Sequence, residues 1–200
     1  MDVVTTYKMT EDVPSEPTHD HELLVPGLKA RHPQAWDRFY MHWYPQVYTY
    51  AFRRIGDHHG AADVASEVFL SMLREIDRYD PQKISLAAWI FRLAHHRTVD
   101  YLRRQYQKQR PPNSSILRPT DDDFSEATAN RMSLQMALRA LTEEQQAVLL
   151  LRFFVGLPLV EVAKALNKSP EAVRGLQFRA LCRLRQLLSP EGGDRLARGE

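Results

Sequence analysis

Residues 106–130 read YQKQRPPNSSILRPTDDDFSEATAN, and this stretch constrains the fold more than any other. It holds three prolines, three serines and a run of aspartates, and Pro111-Pro112 stops any helix that reaches it. The chain of 200 residues is therefore expected to form two small modules, 27–105 and 132–188, joined by a flexible linker at 106–131. Residues 1–26 contain Pro14, Pro17 and Pro26 and few large apolar side chains, and read as a disordered leader. Residues 189–200, with Gly192-Gly193, read as a flexible tail.

Charge follows nearly the same divisions. The leader has six acids against one base, residues 27–106 twelve bases against eight acids, and residues 132–190 eight bases against four acids. An acidic leader and two basic modules suggest surfaces that face a polyanion, although two ordinary solvated surfaces would look the same on charge alone. The hydrophobic share of 44% is ordinary for a soluble globular chain. No apolar run approaches the roughly 18 residues of a membrane span, so no membrane insertion is expected. The acidic N-terminus lacks the basic start and apolar core of a signal peptide. One cysteine, Cys182, excludes an internal disulfide framework and a cysteine-rich zinc site and fits a reducing cytosol, so a cytoplasmic location is expected.

No segment alternates with period two, so the fold class is all-α. Ala35–Ile55 is dense in aromatics, with positions 36, 40, 43 and 47 at core spacing, and Gly56-Asp57 stops that helix. Ala61–Asp77 is an amphipathic helix with Val64, Val68 and Met72 on one stripe and Asp63, Glu67 and Arg74 off it. Tyr79–Ser85 is a loop, and Leu86–Gln105 a third helix. The second module is expected to hold helices near 132–140, 143–155, 159–166 and 170–188.

Leu159–Phe178 reads as a helix-turn-helix. Val162 and Ala163 face inward, and the small alanine permits a close helix crossing. Asn167 tolerates the left-handed conformation of a tight turn. Ser169 caps the next helix, Pro170 suits its first position and Glu171 favours its positive end. Val173, Leu176, Ala180, Leu184 and Leu187 form its apolar face. Opposite lie Glu171, Arg174, Gly175, Phe178 and Arg185, with Arg179 and Arg183 on the flank. From Ala172 to Ser189 there are four arginines and no acid, a face suited to the major groove of DNA. In the third helix of the first module, an otherwise apolar circumference is broken by one polar stripe, Arg92, His96, Asp100 and Arg103, which shares its face with Trp89 and Val99. Such a stripe fits single-stranded bases and phosphates, or a buried helix with a local Asp100–Arg104 ion pair.

Taken in order, Gly60–Phe69, Ala88–His96 and Val99–Arg104 resemble region 2 of the bacterial extracytoplasmic-function (ECF) sigma factors, and Leu138–Arg152, Gly156–Ala163 and Val173–Ala180 resemble region 4. The resemblance covers about residues 30–105 and 132–188. It implies a sigma region 2 helical bundle and a sigma region 4 helix-turn-helix, with no region 3 between them. It also implies a transcription initiation factor that binds core RNA polymerase and directs promoter recognition and DNA melting. The implied partners are the β′ clamp helices, the β flap, promoter DNA and an anti-sigma factor. By motif, Asp63, Val64, Glu67, Val68 and Phe69 fall on the polymerase-binding surface, and Tyr79–Ser85 on the loop that captures a flipped promoter base. Lys83, Arg92 and Arg103 would meet phosphates of the minus-ten strand, with Tyr79 or Trp89 as a stacking face and His96 beside them. Ser169, Glu171, Arg174, Gly175, Phe178, Arg179, Arg183 and Arg185 would form the minus-thirty-five surface. His95-His96 stands where the family commonly has Arg-Asn, and Leu176 where it commonly has a basic residue.

The eight histidines all precede residue 97, but no acid or cysteine completes a ligand set at usual spacing, so no metal or other cofactor is expected. The sequence contains no phosphate-binding glycine loop, nucleophile elbow or H-E-x-x-H, which leaves an enzyme unsupported. The alternative reading is a free-standing helix-turn-helix regulator that binds duplex DNA without polymerase; a ligand or phosphoacceptor domain would then be expected where the basic helix and loop stand.

Overall fold

The computed structural model describes residues 22–108, 134, 136–138 and 140–188. Residues 1–21, most of the linker and the tail lie outside the described residues, as do the readings made on them. Every regular element among the described residues is helical. In the first module α1 spans Val25–Lys29, α2 Pro33–Ile55, α3 His58–Glu75 and α4 Leu86–Lys108, with a 3-10 turn at Ile76–Arg78. In the second, residues 136–138 are helical. There α5 spans Glu143–Leu149 and runs into a π-helical turn at Leu150–Phe154, followed by α6 at Leu159–Leu166 and α7 at Pro170–Leu188.

Local chemistry sets these boundaries. Gly56 takes φ 78°, a left-handed conformation that an L side chain resists, and closes α2 with its N–H on the Phe52 carbonyl. Asp57 then caps α3, accepting from the Gly60 N–H at 2.6 Å. A Cβ on Gly60 would collide with the Tyr101 ring and hydroxyl, so the bare glycine lets Tyr101 of α4 lie against the start of α3. Thr142 and Gln145 form a reciprocal capping box at the start of α5. The α6–α7 turn follows the sequence reading: Asn167 is left-handed at φ 52°, the Lys168 N–H reaches back to the Ala163 carbonyl, and the Ser169 hydroxyl oxygen accepts from the Ala172 N–H at 3.2 Å.

Helices α2, α3 and α4 pack on one another around Phe39, Val47, Tyr50, Val68, Met72, Ile90 and Phe91. Three expectations need correction. The core stripe of α2 is Phe39, Trp43, Val47, Tyr50 and Ala51, while Tyr40 is exposed; the stripe turns by one position because Phe69 enters beside Phe39. The module begins before residue 27, since α1 starts at Val25 and buries Val25 and Leu28. Lys29 in α1 also donates to the Tyr79 carbonyl at 2.9 Å. In place of an Asp100–Arg104 ion pair, the Arg104 Nε donates to the Asp100 carbonyl.

The two modules touch. Helix α6 packs against α4, α5 and α7 pack together behind it, and the Arg53 guanidinium lies 4.5 Å from the centre of the Phe154 ring.

Candidate nucleic-acid interface

Helix α7 buries Val173, Leu176, Ala180 and Leu187, which rotates its other face outward. Glu171, Arg174, Arg179, Arg183 and Arg185 are exposed there, and Phe178 keeps 69% of its surface. Arg174 and Phe178 are one helical turn apart, with Gly175 between them half-buried. A Cβ on Gly175 would meet the Arg179 Nη1 at 3.2 Å, so the bare glycine leaves room for that guanidinium along the helix. The Glu171 carboxyl is held below its usual range by its own backbone N–H, then by the Ser169 hydroxyl. Ser169 is thus engaged in the cap, while the arginines stand clear of it. The exposed face brings together guanidinium forks and one aromatic edge, groups that read guanine, phosphate and thymine methyls in a major groove.

The stripe on α4 is divided by burial. Arg92 is half-buried, and His96 and Arg103 are exposed. Lys83 extends from the preceding loop and pairs with Asp80 at 3.1 Å. Tyr79 and Trp89, expected as stacking faces, are 4% and 9% exposed and stack on each other. Their rings are buried in the loop's own framework. The Tyr79 hydroxyl donates to the Ile84 carbonyl at 3.0 Å, and burial pushes it above the ordinary tyrosine range. The loop's far end is also held: the Glu161 carboxylate of α6 accepts from the Ser85 N–H at 3.3 Å and from the Ser85 hydroxyl. Burial pushes the Glu161 carboxyl up, but the bonds from Ser85 and Lys164 outweigh it and keep it below the usual carboxylate range.

On α3, Val64 and Val68 lie in the core and are unavailable to a partner. Phe69 is 8% exposed, packed between Phe39, Tyr40 and Tyr44. Asp63 is exposed; Glu67 is shared by Arg74 at 3.4 Å and Arg97 at 3.9 Å. Beside these acids the structure opens an apolar cavity of about 460 Å³ between α2 and α3, lined by Trp36, Tyr40, Phe69, Leu70 and Leu73 with Asp37 and Ser66 at its edge. Leu70 and Leu73 are 46% and 41% exposed. The sequence reading missed this groove. Its signal was a second stripe, 66–70–73, displaced from the buried one at 64–68–72.

No group of His, Cys, Asp and Glu among the described residues could hold a metal, and no described helix is long and apolar enough to cross a membrane. Cys182 is exposed on α7.

Comparison with known proteins agrees with this geometry. Residues 39–107 match the family model of Sigma-70 region 2, and residues 137–186 that of Sigma-70, region 4. The chain is 30% identical over 171 residues to the ECF RNA polymerase sigma factor BldN of Streptomyces coelicolor, covering 82% of this chain and 64% of BldN. It is 26% identical over 181 residues to the ECF RNA polymerase sigma factor SigK of Mycobacterium tuberculosis, covering 88% of this chain and 97% of SigK. The sigma factor RpoE of Bartonella quintana, solved in complex with the anti-sigma factor NepR, shares the fold with a TM-score of 0.61 at 18% identity, over 77% of this chain and 96% of RpoE. Two sigma-70 regions in the family's order, each built on the helices that the sequence calls for, place this chain in the ECF family of RNA polymerase sigma factors.

Proposed function

We propose that this chain binds core RNA polymerase through the α2–α3 groove, reads the minus-thirty-five element with the exposed face of α7, and engages the melted minus-ten element with Lys83, Arg92, His96 and Arg103. The observation that carries the reading is the exposed face of α7, with four arginines and no acid after Glu171, presented by a capped helix-turn-helix that buries Val162, Ala163, Val173, Leu176 and Ala180. The apolar groove with Asp37 in its lining, and exposed Asp63 one helical turn before Ser66 on α3, fits a helical partner with basic residues at its rim, as the β′ clamp helices are expected to offer. The β flap is assigned to the second module and an anti-sigma factor to the whole chain on the family's account, supported by the RpoE–NepR complex. The chain acts as a regulator in the cytoplasm and carries out no catalysis of its own.

Run-off transcription on duplex promoters with core polymerase, with and without this protein, tests the reading. Transcripts that start only in its presence are expected. Sequence-specific binding of the protein alone to duplex DNA, with no transcript from core plus protein, would instead make it a free-standing regulator.

A further inference from the structure

Lys29 and Arg31 stand at the end of α1 and in the turn after it, before residue 39, where the match to region 2 begins. Both reach the segment that leads into the Tyr79–Ser85 loop. The Arg31 guanidinium donates twice to Asp77 in the 3-10 turn, Nη1 to Oδ1 at 3.2 Å and Nη2 to Oδ2 at 2.8 Å. Those bonds are the main reason why the Asp77 carboxyl lies below its usual range. The Lys29 ammonium donates to the Tyr79 carbonyl at 2.9 Å, and its charge acts on Asp77 and Asp80 to either side. Beyond Tyr79 the loop tip, Pro81-Gln82-Lys83, is exposed, and Asp80 sets its shape. The Asp80 carbonyl accepts from the Lys83 N–H at 3.2 Å and the Ile84 N–H at 3.4 Å, and its carboxylate accepts from the Gln82 N–H at 3.0 Å. Asp80 follows directly on the carbonyl that Lys29 holds. The helix that carries these two bases is itself fixed on α2. The Trp36 indole N–H donates to the Leu28 carbonyl at 3.1 Å, and a Cβ on Gly27 would lie 2.8 Å from that of Ala35. Arg31 takes φ 56°, a left-handed conformation that glycine adopts with less strain, so what arginine adds at this position is its guanidinium. The Arg31 and Asp77 side chains are 50% and 57% exposed, and a pair so exposed adds little to stability. Its effect is positional, because it ties the turn before the loop to the corner between α1 and α2.

We infer that Lys29 and Arg31 are positioning residues for promoter opening: from outside the matched region 2 segment they hold the entry of the Tyr79–Ser85 loop, through the Tyr79 carbonyl and Asp77, in the shape that receives an unstacked base. The inference rests on the reading of that loop as the one that captures a flipped promoter base. A loop already held in its binding shape loses less freedom on capture. The brace therefore acts on the affinity for that one base and not on the rest of the strand.

The test uses holoenzyme assembled with the full chain, and single-stranded minus-ten oligonucleotides in which each base in turn is replaced by an abasic site. The readout is the ratio of affinities for the intact and abasic strands, and wild type is expected to show its largest ratio at the captured position. Arg31→Gly suits the left-handed backbone and removes only the guanidinium. Asp77→Ala removes its partner, and Lys29→Met keeps the apolar stem without the ammonium. Each is expected to lower the ratio at that position about fivefold, with the affinity for the abasic strand unchanged. Arg31→Gly combined with Asp77→Ala should be no worse than either alone. The exchange of Arg31→Asp with Asp77→Arg should recover most of the ratio, since aspartate tolerates a left-handed backbone. A merely structural role would weaken both strands alike. If Arg31 met a phosphate itself, Arg31→Gly would lower the affinity for the abasic strand too, and Asp77→Ala, by freeing the guanidinium, would raise it. Either of those results, or an unchanged ratio in Arg31→Gly or in Lys29→Met, would overturn the brace while leaving the base-capture reading intact. A wild-type ratio that is the same at every position would overturn the base-capture reading, and the brace with it.

Discussion

Tyr79 and Trp89 stack with ring centroids 4.8 Å apart and planes 27° from parallel, and this pair fixes the Tyr79–Ser85 loop to the start of α4. The Tyr79 hydroxyl closes the loop on itself through Ile84, and the Lys29 ammonium holds the Tyr79 carbonyl from α1. Removing the hydroxyl alone, in Tyr79→Phe, should cost about 1 kcal/mol, the net value of one hydrogen bond. Trp89→Ala should cost about 3–5 kcal/mol, as other large-to-small core changes do. Urea unfolding measures both. With both rings buried against each other, Tyr79→Phe, which keeps the ring and removes only the hydroxyl, should leave permanganate reactivity of promoter thymines unchanged; a loss of open complex in this variant would make the Tyr79 hydroxyl a base contact.

The α2–α3 groove carries the prediction for polymerase binding. Leu70→Glu or Leu73→Glu places a carboxylate where an apolar partner surface is expected, and should weaken binding to core polymerase at least tenfold, about 1.4 kcal/mol. Asp63→Lys changes an exposed charge one helical turn before Ser66 of the groove and should act mainly on the association rate and its salt dependence. Both leucines are already exposed, so stability should change little. Surface-immobilised core polymerase gives both rates, and an unchanged dissociation rate for Leu73→Glu would remove the groove from the interface.

On α7, Arg174→Ala and Arg179→Ala separate reading from holding. A guanidinium on a base edge should cost about 1–3 kcal/mol and relax preference at one position, whereas one on phosphate should weaken every sequence alike and reduce the salt slope by about 1. Gly175→Ala is the informative companion. Mid-helix alanine is better than glycine by about 1 kcal/mol, so the fold should gain stability while the new Cβ crowds Arg179. Promoter competition assays across single-base variants decide the assignments.

Much of this was legible beforehand because it is written in short-range chemistry. The α6–α7 turn needed only Asn167, Ser169 and Pro170 at their spacing, and its bounds in the structure agree with the reading. The inward face of α7 followed from period alone. What was not legible depends on neighbours. The motif puts Phe69 on the polymerase-binding surface, but α2 supplies Phe39, Tyr40 and Tyr44 to cover it. Tyr79 and Trp89 were read as free rings because their partner, ten residues away across a loop, is each other. Glu161 gave no signal, since its partner Ser85 lies in the other module.

A last prediction concerns pH and rests on His95. Its Nδ1 lies 3.0 Å from the Arg54 Nη1 and 3.2 Å from the Tyr50 hydroxyl. Arginine has only donors, so His95 must accept at Nδ1 and be neutral. Burial, then the charges of Arg54, His96 and Lys168, lower its pKa from the ordinary 6.5 to about 3. The unfolded chain therefore binds a proton that the folded chain refuses throughout the range between those values. The stability this group contributes is complete above pH 6.5 and is lost as pH falls toward 3, by up to about 1.4 kcal/mol per pH unit. The carboxyls held low in the fold, Asp77, Asp80, Glu161 and Glu171, add losses only further down, as pH falls below the ordinary carboxylate range. Between pH 6.5 and 5 the histidine is thus separable, and wild type should lose about 2 kcal/mol by urea unfolding in that window. His95→Gln keeps an acceptor for Arg54 without a titrating group and should flatten the slope. Equal slopes in wild type and His95→Gln would mean that Arg54 does not hold His95 in its neutral form.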